Sequence, residues 1–184
     1  MKWPDTFSLY LVDNLDKESE KELYVKALMY YTNKSRSSEY YLILRTYLTE
    51  EERIAFVDKQ KNGYDLKFYV DMLKIEKRYA DILEIAKNEN TYYTNYLYVL
   101  NPIVNIYPDE CFEIIKKECN AAMSSPKRNR NTYERITDLL NVMLKIISKQ
   151  NEALLYIKAL YNYKPNLPAL KDELRKRLGG KYFF

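Results

Sequence analysis

Apolar residues recur along this chain at the spacing of helical faces, and polar breaks separate one face from the next. The clearest case runs from Asn131 to Leu178. Ile136, Leu139, Leu140, Met143, Leu144 and Ile147 fall at i, i+3, i+4, i+7, i+8 and i+11, which predicts a helix with one apolar stripe. Ser148 to Gln150 interrupts the pattern, and Leu154, Ile157 and Tyr161 carry a second stripe. Pro165 stops it, because proline disfavours helical geometry in the residue before it. Pro168 suits the first turn of a third helix, whose stripe is Leu170, Leu174 and Leu178. None of these stripes can be buried within its own helix, so each helix requires neighbours.

The same signals recur upstream. Helices are expected over Asp5 to Asn14, from about Lys17 to Asn33 through Leu23, Ala27, Leu28 and Tyr31, and from Tyr40 to Leu48. Thr49 with Glu52 has the form of a capping box, in which a threonine oxygen and a glutamate side chain each satisfy one orphan N–H. Ile54 and Val57 continue that helix until Asn62-Gly63. Leu66, Tyr69, Val70 and Leu73 form the next stripe, 75–78 a charged connector, and Tyr79, Ile82, Leu83 and Ala86 another stripe. Tyr92 to Leu100 is short, and Val104 to Tyr107 is an apolar link. Pro108-Asp109-Glu110 then opens a longer helix whose buried face should hold Phe112, Ile115, Cys119 and Met123. About ten helices joined by short connections point to an all-α fold of antiparallel hairpins. Alanine early in two of the helices, in Tyr79-Ala80-Asp81 and Glu152-Ala153-Leu154, permits the close crossings of a tetratricopeptide-like array. The architecture expected is a right-handed α-solenoid of stacked hairpins, a single repeat domain over residues 1–184.

Composition removes much of the functional menu. With 3 glycines in 184 residues, neither a Walker A loop nor a dinucleotide-binding fingerprint can be built. Histidine is absent, which excludes histidine triads, bases and zinc ligands. Cys111 and Cys119 lie in one predicted helix, about 12 Å apart by its rise, too far for a disulfide. Free cysteines and the lack of an apolar leader suggest a cytoplasmic protein, and no apolar run approaches the roughly 18 residues of a membrane span. No cofactor, metal, membrane partner or small-molecule substrate is expected.

Tyr47-Leu48-Thr49-Glu50-Glu51, Arg78-Tyr79-Ala80-Asp81-Ile82-Leu83-Glu84 and Tyr107-Pro108-Asp109-Glu110-Cys111 together resemble the helical repeat region of bacterial SWIM zinc-finger proteins. The later landmarks, Tyr133-Glu134-Arg135-Ile136 and Leu167-Pro168-Ala169-Leu170-Lys171-Asp172-Glu173-Leu174, follow in the same order. The likeness covers most of the chain beyond about residue 20, and its motifs are structural. The finger itself needs clustered cysteines and a histidine, which this sequence lacks. The resemblance thus implies a tetratricopeptide-like region without its metal module, the C-terminal part of a longer protein.

Candidate chemistry is sparse. Glu50, Glu51 and Glu52, and Asp109 with Glu110, could serve acid–base or metal chemistry, but they stand at helix starts, where acids complement the dipole. Cys111 near a helix start could hold a reactive thiolate, and burial is the competing reading. The 20 tyrosines include the pairs Tyr30-Tyr31, Tyr40-Tyr41 and Tyr92-Tyr93, in which one ring can pack while the other faces a groove. The expected function is non-catalytic: a helical scaffold that binds a protein or peptide through its curved surface, with Tyr40, Lys74, Arg78, Tyr92 and Tyr96 as candidate contacts. The alternative is an accessory nucleic-acid binder. It would use Lys127, Arg128 and Arg130 in one cluster and Arg175, Lys176 and Arg177 with Lys181 in the other. Net charge, at +4, is too small to decide for nucleic acid.

Overall fold

A computed structural model of the chain describes residues 5–61, 63, 65–88 and 93–180, leaving aside the side chains of 5, 6 and 93–95. Eleven α-helices and no strand occur among these residues. Contacts divide the chain into two compact units, Met1–Arg78 and Tyr79–Phe184. None of the described helices is long and apolar enough to cross a membrane.

The first unit holds α1 (Asp5–Asn14), α2 (Lys21–Ser35), α3 (Ser38–Leu44), α4 (Glu50–Asp58) and α5 (Leu66–Ile75). The Thr49–Glu52 capping box is formed: Glu52 N–H donates to Thr49 Oγ1 at 3.3 Å and Thr49 N–H to Glu52 Oε2 at 2.9 Å. Of the three glutamates at this helix start, Glu52 is thereby engaged in capping. α1 packs on α2, α2 on α3, and α5 on α3 and α4. Of the Tyr40-Tyr41 pair, Tyr41 is fully buried and stacks on Phe56 with centroids 5.7 Å apart, while Tyr40 stays half-buried.

The second unit holds α6 (Tyr79–Lys87), α7 (Tyr93–Leu100), α8 (Pro108–Ser124), α9 (Arg130–Met143), α10 (Gln150–Tyr161) and α11 (Pro168–Leu178). A 3-10 turn over Ile147–Lys149 precedes α10. Phe112, Ile115, Cys119 and Met123 are buried along α8. α9 is the hub, touching α7, α8, α10 and α11. It opens on a second capping box, between Asn129 and Thr132.

Three expectations shift: the helix expected over Tyr40 to Leu48 ends at Leu44, the stripe expected on Leu154, Ile157 and Tyr161 is buried on Ala153, Ile157 and Leu160, and the end of α9 departs from its expected course. α9 stops at Met143, and Ile147 is 74% exposed while Ile146 is fully buried. The winding tightens there: Lys145 N–H bonds to the Val142 carbonyl and Ile146 N–H to that of Met143, both at i−3. The Asn105 side chain then accepts Ile147 N–H at 3.1 Å. The tighter turn rotates the chain, so Ile146 takes the inward place that helical spacing assigns to Ile147.

Candidate functional site

Charge is distributed unevenly along the sequence. Residues 127–184 hold 13 Lys and Arg against 5 Asp and Glu, whereas residues 1–126 hold 17 against 21. The fold sorts this excess through α11. Leu170, Leu174 and Leu178 bury its middle stripe, leaving two polar flanks.

One flank turns to α9. Arg130 Nε donates to Glu173 Oε1 at 2.7 Å, and its Nη2 to Asp172 Oδ2 at 2.6 Å. Arg177 Nε donates to Glu173 Oε2 at 3.2 Å, with Asp138 and Glu134 each 2.9 Å from its terminal nitrogens. Glu173 is 1% exposed although Arg130 above it is 56% exposed, so the arginine arms are its cover. Burial alone would raise its carboxyl, but hydrogen bonds and charge from Arg130, then Arg177, hold it below the usual range. Two members of the alternative nucleic-acid set, Arg130 and Arg177, are thus ion-paired with carboxylates of α9 and α11.

The other flank turns to α10. Lys171 Nζ lies 5.1 Å from the Tyr161 ring centroid, and the Arg175 guanidinium carbon 5.3 Å from it. Arg175 also donates to the Tyr161 hydroxyl. Lys158 stands three residues before Tyr161 and is exposed, and Leu155, three residues earlier again, is 69% exposed. No carboxylate pairs with Lys158, Lys171 or Arg175 among the described residues. The run Arg175-Lys176-Arg177 was the sequence signal for this corner, without telling which flank each residue takes. The Tyr161 partnership was hidden, because it depends on the α10–α11 register.

The remaining sequence candidates are dispersed. Arg128 caps the Met123 carbonyl, and Lys127 and Lys176 are exposed. Lys74 pairs with Asp71 at 3.1 Å and Arg78 with Asp58 at 2.8 Å, both within the first unit. Tyr40 packs edge-on against Tyr31, centroids 4.7 Å apart. Tyr96 is 4% exposed and its hydroxyl donates to Glu118 at 3.4 Å, so its ring belongs to the packing and offers a partner no face. Tyr92 and Lys181 lie outside the described residues.

Both thiols are buried, and burial pushes each up to about 12, with Glu110 beside Cys111 and Glu118 beside Cys119 adding to the shift. Native protein is expected to resist maleimide labelling at pH 8, with both cysteines reacting once urea unfolds the chain; mass spectrometry reads the count. A groove of about 480 Å3 between α2 and residues 47–52 is floored by Val25, Met29, Tyr47 and Leu48. Its rim carboxylates are engaged, Glu22 with Lys26 at 2.6 Å and Glu52 in the capping box. A polar hollow of about 440 Å3 near Ser37 includes Asp65, which caps α5, and Asp71, which holds Lys74. Among the described residues no group of three or more Cys, Asp or Glu is placed to hold a metal ion.

The class these features define is an all-helical protein of packed hairpins bearing a cationic corner. No family model, curated protein or solved structure matches the chain.

Proposed function

We propose that this chain is a non-catalytic interaction module that binds a protein partner through side chains displayed on its helices. The observation that carries the reading is the exposure of large apolar side chains on ordered elements: Ile147 at 74%, Leu155 at 69% and Tyr10 at 60%. Isolated apolar residues are ordinary on a surface, but Leu155 stands one helical step from Lys158, which has no counter-ion among the described residues. The resemblance to the SWIM-associated repeat region, a solenoid arrangement of the hairpins and a cytoplasmic setting all accord with this proposal. The nucleic-acid alternative keeps support from the basic excess of residues 127–184.

Photo-crosslinking tests the proposal. A photoreactive residue in place of Ile147 or Tyr10 is expected to capture one defined protein species in cells, while the same group at exposed Lys61 captures none. An identical pattern at all three positions would overturn the reading. So would preferential capture of DNA or RNA, accompanied by tight, steeply salt-dependent binding of DNA in titrations at two salt concentrations.

A further inference from the structure

We infer that the α10–α11 corner built on Leu155, Lys158, Tyr161, Lys171 and Arg175 is the docking site for an acidic, leucine-bearing segment of a partner protein. This inference rests on the protein-binding reading above and names the partner's chemistry. Helical geometry places Lys158 between Leu155 and Tyr161 on α10, since steps of three residues move only about 60° around the helix. Leu155 occupies the crest opposite Ala153, Ile157 and Leu160, the buried residues of that helix. On α11, Lys171 and Arg175 are four residues apart and lean on the Tyr161 ring at 5.1 and 5.3 Å. Lys171 and Arg175 therefore gather at one aromatic ring, with Lys158 one helical step from it and Leu155 a further step along the exposed side of α10.

What distinguishes this corner is the placement of charge. The acids of α11 are engaged elsewhere, Asp172 by Arg130 and Glu173 by Arg130 and Arg177. Glu152, the acid of α10, is held by Lys149 at 3.1 Å. The ring stabilises the two α11 cations without cancelling their charge, because a cation–π contact supplies no counter-ion. An incoming carboxylate meets a preorganised positive site. The ordering cost of the Lys171 and Arg175 side chains is already met by the ring.

The uncovered leucine decides the class of partner. A phosphate backbone would engage the cations and leave Leu155 in water. It would also need a longer track of free cations, and Arg130 and Arg177 are removed from that track by ion pairs. A protein segment carrying both carboxylates and apolar side chains can reach the cations at Tyr161 and, two helical steps along, Leu155.

Fluorescence anisotropy of the whole chain with a labelled synthetic helix of leucine, glutamate and aspartate tests the assignment. The comparison probes are the same helix with amides in place of its carboxylates, and an oligothymidylate of equal charge. The acidic helix is expected to bind best, and more weakly as salt rises. The K171Q/R175Q double variant should weaken binding by about tenfold or more and flatten the salt dependence. L155S should also weaken binding by about tenfold while leaving the salt dependence in place. K61Q, in the other unit, should change nothing, and far-UV circular dichroism of each variant should match the parent. Failure of the acidic helix to bind, equal binding by the double variant, or tighter binding of the oligothymidylate would each overturn the inference. Crosslinks retained at Ile147 and Tyr10 after such a result would leave the wider protein-binding proposal standing, whereas their loss as well would remove both.

Discussion

Replacing Leu140 with alanine is expected to destabilise the protein by about 3 kcal/mol, while Ile147→Ala changes stability by less than about 0.5 kcal/mol. Helical spacing places the two residues on the same stripe, and the fold separates them. Leu140 is fully buried on α9, the helix that touches α7, α8, α10 and α11, and Ile136 and Met143 are buried on the same face. Truncation there removes three heavy atoms from a site with neighbours on several sides, so little collapse can fill the void. Ile147 lies past the tightened turn and meets mostly water. Urea denaturation followed by far-UV circular dichroism reads both values, and peptide-resolved hydrogen exchange should show the Leu140→Ala loss of protection centred on α9. Equal costs at the two positions would mean that the helix continues through residue 147.

The contrast between Leu140 and Ile147 shows where the sequence was readable. Periodicity and capping are local, and local features were legible: the Thr49–Glu52 box, the α8 face of Phe112, Ile115, Cys119 and Met123, and the proline starts of α8 and α11 all stand where spacing put them. The end of α9 was not legible, because the Asn105 side chain that accepts the Ile147 amide lies 42 residues away. Tyr96 and Tyr40 posed the same difficulty. A tyrosine on a helix has one sequence appearance whether its ring is packed, as Tyr96 is, or half-covered, as Tyr40 is. The basic residues of α9 and α11 were legible as clusters but not as two flanks. Only the register of α11 between α9 and α10 decides that Arg177 is quenched while Arg175 rests on a tyrosine.

Residue 76 is the second position of large effect. The sequence presents it as one charge in a connector, yet it closes a three-way junction in the first unit. Tyr41 Oη donates to Glu76 Oε1 at 3.0 Å and Arg45 Nε to the same oxygen at 2.8 Å, across separations of 35 and 31 residues. Arg53 Nε lies 3.4 Å from the other oxygen but makes no hydrogen bond, so it contributes as a charge. Glu76→Ala would leave a fully buried phenol without an acceptor and two half-covered guanidiniums without their anion. The expected cost is about 3 kcal/mol, most of it the penalty of the groups left behind. Glu76→Gln keeps an acceptor for Tyr41 and should cost less, about 1–2 kcal/mol near neutral pH.

The two variants of Glu76 separate further in acid. Burial alone would raise the Glu76 carboxyl; hydrogen bonds from Arg45 and Tyr41, with the charges of Arg45 and Arg53, outweigh it and hold the group below its ordinary value of 4.5. A carboxyl with a lowered folded-state pKa contributes its full stability above the unfolded-state value and loses it as pH falls through the folded one. The parent should therefore lose more stability than Glu76→Gln between about pH 5 and pH 3, and the two urea midpoints should converge there. Glu173 is depressed in the same direction in the other unit, so both proteins decline in acid, and only the difference between them reports Glu76. Parallel curves across that range would show that Glu76 holds its partners as a shape and not as a charge. In that case Tyr41, and not Arg45, would be the contact that makes residue 76 matter to α3 and α5.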